Sequence, residues 1–259
     1  MHGLVEAHGL VLLAAFGAGF VNAIGGGGTL LTFPALLYSG LMPTLNASIA
    51  ANATNTCSVW PGSAMSSWTY RQQLKQNRDH VRTLIVPSLL GGVAGAVLLL
   101  QTPEKVFRFT VPYLILLACG LLLANEPIGR WMSTRAAAHP RKHAAALWLS
   151  QFAIAVYGGY FGAGIGILML ATIAIFLPED LQAANGMKNL FALLINGIAA
   201  VYFAAVGAAV LKIALVMAVA SVIGGFVGAR TAQRMSARLL RGAVVTFGVG
   251  VAIEMMLER

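Results

Sequence analysis

The chain has 259 residues, 58% of them hydrophobic and 10% charged, at a mean hydropathy of +0.80. Soluble domains carry about 25% charged residues, so this balance excludes an ordinary soluble protein and defines an integral membrane one. The net charge of +9 does not point to nucleic acid, because the basic residues stand in short loops beside apolar spans, where they set topology.

Apolar runs near 10–24, 83–100, 109–124, 144–161, 189–206, 213–229 and 242–257 approach or reach the length that crosses about 30 Å of hydrocarbon. Met1–Gly9 lacks the basic stretch of a cleavable signal, so the first helix is expected to stay. That helix ends in Gly25, Gly26, Gly27 and Gly28, and residues 28–39 then make a helix of about 18 Å, too short to span comfortably. Next comes a helix with a polar stripe of Ser48, Asn52 and Asn55, flanked by Thr54 and Thr56. Arg71, Lys75, Arg78 and Arg82 fill the following loop. Gly91 and Gly95 have the spacing of a close helix crossing. Lys105 and Arg108 stand against Glu104 near 101–108, and the linker 125–143 carries Arg130, Arg135, Arg141 and Lys142.

The series then recurs. Gly162, Gly164 and Gly166 break the next apolar stretch, and Asn185, Lys188, Asn189 and Asn196 form the next polar stripe, on one helical face by their spacing. A shift of 137 places Gly25 on Gly162, Gly27 on Gly164, Ala47 on Ala184 and Asn52 on Asn189. A shift of 133 places Gly91 on Gly224, Gly95 on Gly228 and Arg108 on Arg241. These matches divide the chain into a first transmembrane repeat (1–124), a cytoplasmic linker (125–143) and a second transmembrane repeat (144–259).

Charge gives orientation. The loops holding Arg71–Arg82, Arg130–Lys142 and Arg230, Arg234, Arg238 and Arg241 are expected in the cytoplasm, and those near 101–108 and 207–212 outside. Equivalent loops of the two halves then face opposite sides, which requires an odd number of crossings per half. The expected fold is an all-α polytopic membrane protein of two inverted-topology repeats, whose Gly-broken short helices form either re-entrant hairpins or pairs of short spans.

Backbone broken at membrane depth survives only where protein or a water-filled cavity covers it, so two related breaks imply a shared cavity. Helices starting near Gly28 or Gly164 offer unpaired N–H groups and a positive dipole end, and both features favour anions. Lys188 adds a charge that costs roughly 2.5 to 3.5 kcal/mol at the centre of a membrane helix and that an anionic ligand compensates. The competing reading gives the amides to interhelical bonding, the glycines to helix packing and Lys188 to the headgroups near Glu179 and Asp180. The expected substrate-binding residues are Gly26, Gly27, Gly28, Asn52, Asn55, Gly164, Asn185, Lys188 and Asn189. Cys57 and Cys119 are isolated and read as packing residues. The acidic residues and histidines are peripheral by sequence, so no carboxylate relay, metal site or cofactor is expected.

The stretch from Gly25 through Thr29-Leu30-Leu31-Thr32-Phe33 to Pro34, with Ala47 and Ala53-Thr54-Asn55, recurs more loosely from Gly159 to Asn189. It resembles the TauE/SafE family of sulfite exporters, also called the toluene sulfonate uptake permease family. The resemblance covers essentially the whole chain. It implies an inner-membrane secondary transporter, an exporter, of small sulfur-containing anions such as sulfite or organosulfonates. The second half departs from the first, with Ala171 opposite Pro34 and Leu190-Phe191-Ala192 opposite Ala53-Thr54-Asn55. The partners are the bilayer and a small anion. An anion channel, or a carrier of other small carboxylates, is the alternative. No Ser near a mid-span His supports an enzyme.

Overall fold

A computed structural model describes residues 2–24, 27–43, 45–135, 144–177, 181–231 and 237–257. Among them are eleven α-helices. The first half comprises α1 (His2–Ile24), α2 (Thr29–Tyr38), α3 (Ala47–Thr69), the six-residue α4 (Arg71–Gln76), α5 (Arg78–Gln101) and α6 (Glu104–Arg135). The second comprises α7 (Ala144–Tyr160), α8 (Ile165–Phe176), α9 (Leu181–Ala205), α10 (Leu211–Thr231) and α11 (Ala237–Leu257).

Among the described residues, four stretches are long and apolar enough to cross a membrane, Arg78–Gln101, Glu104–Ala124, Gln182–Ala205 and Leu211–Gly228, with shorter apolar helices beside them. Apolar side chains exposed on their outer faces, such as Leu90, Phe109, Leu123, Leu215, Val219 and Phe226, suit contact with lipid. α3 is too polar to qualify, and the reason is its position. Ser48 through Ser58 are all buried, so its amides and hydroxyls meet protein rather than hydrocarbon.

Both glycine breaks reverse the chain. α2 folds back on α1, where a Cβ on Gly28 would lie 2.5 Å from the Ala18 carbonyl oxygen and one on Gly17 would touch Leu31. Gly27, at φ 97°, holds the turn in a region closed to most side chains. α8 folds back on α7, with Gly158 against Ile165 and the Tyr157 hydroxyl donating to Ala163 O at 2.7 Å. With 10 and 12 residues, α2 and α8 are about 15 and 18 Å long, well short of the bilayer core.

The halves exchange packing partners. α1 lies on α10 and α5 on α7, in the two most extensive helix contacts. A Cβ on Gly224 would lie 2.0 Å from Phe16 O and one on Gly228 2.7 Å from Phe20 O. At the other crossing, a Cβ on Gly91 would lie 2.6 Å from Phe152 O and one on Gly95 2.0 Å from Val156 O. Corresponding glycines thus lie against backbone carbonyls of the other half, and both crossings run parallel. α3 and α9, which correspond under the repeat shift, cross antiparallel: Cys57 Sγ contacts Ala200 O at 3.5 Å, while Thr54, earlier on α3, accepts from Val210 N beyond the end of α9. α6 and α11 do the same, with Cys119 at Val245 and Gly248, and Ile115 at Gly248.

α6 runs on through residues 125–135, the first part of the expected linker, as one helix of 32 residues. Residues 136–143 lie outside the described residues.

Candidate substrate site

The two breaks meet the same turn of α6. A Cβ on Gly27 would lie 2.7 Å from Leu122 Cδ1, and one on Gly164 would lie 3.3 Å from Leu121 Cδ1 and 3.5 Å from Ala118 Cα. Aromatic packing ties the same elements together, with Phe33 of α2 edge-on to Phe161 of the second break at 5.7 Å. Gly26, expected in the site, is outside the described residues.

At the first break the polar groups satisfy one another. The Gly28 N–H, expected to be open, donates to Asn22 Oδ1 at 2.8 Å. The single Thr32 Oγ1 proton faces two acceptors, Gly28 O at 3.2 Å and, closer, Asn55 Oδ1. Asn55 is 2% exposed and belongs to this cluster. Asn22 and Thr32 were missed by sequence reasoning. The available signal was an amide six residues before Gly28 and a hydroxyl four after it, both next to a forced chain reversal.

The second break is tied to the first half by Asn52, which is fully buried and whose Nδ2 donates to Tyr160 O at 2.9 Å. Tyr160 O accepts only, which fixes the amide's orientation. Asn52 Oδ1 is left as a buried acceptor without a partner among the described residues. Gly164 sits at φ 77° as the N-cap of α8, and the Ile167 N–H donates to Gly164 O at 3.0 Å. The amides of Ile165 and Gly166 therefore stand at the positive end of α8. Lys188 reaches this turn. A Cβ on Gly166 would lie 3.1 Å from its Cδ and 3.8 Å from its Cε, so the lysine stem runs over the second residue of α8. Asn196 Oδ1 lies 3.4 Å from the Cβ position of Gly162, on the other flank of the break.

The two polar stripes do not face each other at one level. Cys57 and Ala200 mark a common height, Asn55 is two residues before the first and Asn189 eleven before the second. On antiparallel helices this separates them by about 20 Å along the bundle. Asn52 and Asn55 stand at one end, while Asn185, Lys188 and Asn189, all half-buried, stand on the first turns of α9 near Tyr70 and α4. Among the described residues, no group of three or more His, Cys, Asp or Glu could hold a metal ion.

A bundle of apolar helices around a buried polar helix, with two chain reversals against one turn of α6, is a multi-pass membrane protein built for passage of a solute rather than for covalent chemistry. The chain belongs to the sulfite exporter TauE/SafE family, whose model matches residues 11–255. It is similar to a probable membrane transporter protein of Haemophilus influenzae, 25% identical over 260 residues that cover 98% of this chain and 96% of the relative. It is also similar to the probable membrane transporter protein ORF9 of a Sinorhizobium species, 27% identical over 250 residues, 96% of this chain and 92% of the relative. The probable membrane transporter protein YfcA of Escherichia coli is 24% identical over 253 residues, 96% and 90% of the two chains. No solved structure matches. The protein is a membrane transporter of the TauE/SafE type and not an enzyme.

Proposed function

We propose that this transporter exports small sulfur-containing oxyanions, of the sulfite and organosulfonate class, from the cytoplasm by alternating access. The observation that carries the anion reading is the stem of Lys188 on Gly166. It brings a cationic side chain to the N-terminal turn of α8, where backbone amides and the helix dipole favour negative charge as well. In this reading Lys188 and the Ile165 and Gly166 amides bind the oxyanion, and Asn185 and Asn189 donate amide N–H groups beside it. Gly27 and Gly28 and the Asn52 and Asn55 amides line the path on the other side of the α6 turn, toward the opposite face.

We further infer an inverted repeat. A two-fold axis along the bundle would make the corresponding helices α3 and α9 run parallel. Their antiparallel crossing, repeated at α6 and α11, suits an axis lying across the bundle. Rocking of one repeat against the other would open the path to each side in turn. The glycine crossings of α1 on α10 and α5 on α7 join opposite halves, so each half carries an element of the other as it moves.

Proteoliposomes test this. Uptake of radiolabelled sulfite and ethanesulfonate should saturate and accelerate when unlabelled substrate is present on the far side. Flux that ignores far-side substrate would favour a channel. Absence of flux for every small oxyanion would overturn the substrate class.

A further inference from the structure

A cavity of about 270 Å³, lined neither by the glycines nor by Lys188, lies at the end of the bundle away from Arg71, Lys75 and Arg78. It sits between the end of α2, the start of α3, the start of α6 and the end of α11, and its lining includes Leu37, Tyr38, Ser48, Glu104, Arg108 and Met255. Glu104 and Arg108 are four residues apart on α6, a spacing at which a carboxylate and a cation ordinarily pair. Here Glu104 turns to α3 instead and accepts from Ser48 N at 2.8 Å and Ile49 N at 3.3 Å, one with each oxygen. Its charge offsets the positive end of α3. Arg108 is exposed and has no hydrogen-bond or ion-pair partner among the described residues.

The cavity therefore combines an unpaired guanidinium with a carboxylate already occupied by backbone, beside the apolar side chains of Leu37 and Met255. A guanidinium holds an oxyanion through two parallel N–H bonds, and the apolar wall suits a short hydrocarbon body behind it. We infer that this cavity is a vestibule at one mouth of the transport path, where an organic oxyanion, a sulfonate or carboxylate, docks on Arg108. The inference rests on the anion-transport reading above. The repeat shift matches Arg108 with Arg241, each the fifth residue of its helix, so an inverted arrangement would set the two at equivalent places in their elements. A cation at a cavity mouth raises the local concentration of anions.

An anionic phospholipid headgroup offers the same oxyanion chemistry, so the test separates the two sources. Wild type and Arg108→Gln are reconstituted into phosphatidylcholine vesicles with and without phosphatidylglycerol. One orientation is silenced by an impermeant thiol reagent at a single cysteine introduced on the α4 surface. The expected result is a rise of about tenfold in KM for ethanesulfonate presented from the Arg108 face, with the effect absent from the opposite face and present in both lipid mixtures. An equal rise from both faces, or none while wild type transports, would overturn the vestibule and leave the transport reading intact. An effect seen only with phosphatidylglycerol would assign the cavity to lipid and likewise overturn it. If wild type moves no ethanesulfonate, the transport reading falls, and equilibrium binding in detergent decides the site. Tenfold weaker binding by Arg108→Gln supports it and equal binding overturns it.

Discussion

The two breaks share a backbone plan and differ in chemistry. At the first, Gly28 N–H is taken by Asn22, and Thr32 links Gly28 O to Asn55, so the polar groups close on one another without a charge. At the second, the position of Asn22 is held by Gly159, which lies against Gly92 O, and the helix start lies beside Lys188. Where the halves must pack, the same residue types recur, as the paired glycine crossings show. At the breaks themselves the residue types differ. Under the proposed function the charge at the second break would give it the larger share of anion binding, with the first break as a neutral wall.

Changes to the shared scaffold should have the largest effect, and the same effect in both halves. Gly224→Leu and Gly95→Leu each drive a side chain into a carbonyl 2.0 Å from the Cβ position, so both should abolish recovery of monodisperse protein in size-exclusion chromatography. Gly242→Ala, with nothing within 4 Å, should leave it unchanged. Unequal outcomes for Gly224 and Gly95 would break the equivalence of the two crossings.

A smaller loss is expected at the turns. Gly27→Ala and Gly164→Ala put a Cβ on residues at φ 97° and 77°, at a cost of about 1 to 3 kcal/mol each, read as a fall in melting temperature. Gly27→Ala should cost more, because its Cβ also meets Leu122 at 2.7 Å rather than Leu121 at 3.3 Å.

The next step separates the two breaks. Asn22→Ala removes the acceptor of Gly28 N–H and should lower stability by about 1 kcal/mol while leaving stabilisation by added oxyanion intact. Loss of that ligand response would mean that the first break binds substrate as directly as the second. The smallest effect is expected at Cys57 and Cys119, which are buried with weak contacts to Ala200 O and Val245 O. Cys→Ser at either should cost about 1 kcal/mol or less in thermal unfolding and nothing in transport.

The sequence carried the helices, the breaks and the paired crossings because these depend on local signals: apolar length, glycine runs and a repeat shift that can be read residue against residue. Lys188 and the Asn stripes were visible as polar residues in apolar helices. Their partners were not, because Asn52 to Tyr160 and Ser48 to Glu104 join residues 108 and 56 positions apart. Glu104 looked peripheral from its place at a helix start, and only the fold brings it to the N-terminus of α3. The offset between the stripes was equally hidden, since matching Asn52 to Asn189 fixes their order in each half and not their height in an antiparallel pair.

The most direct test of the charged second break is thermal unfolding of purified wild type and Lys188→Met across a concentration series of sulfite, ethanesulfonate and acetate. Ligand that binds the native state raises the melting temperature as its concentration increases. The account predicts such a rise for wild type with sulfur oxyanions and its loss in Lys188→Met, with the unliganded variant folded. An equal rise in both proteins, or none in wild type, would contradict it.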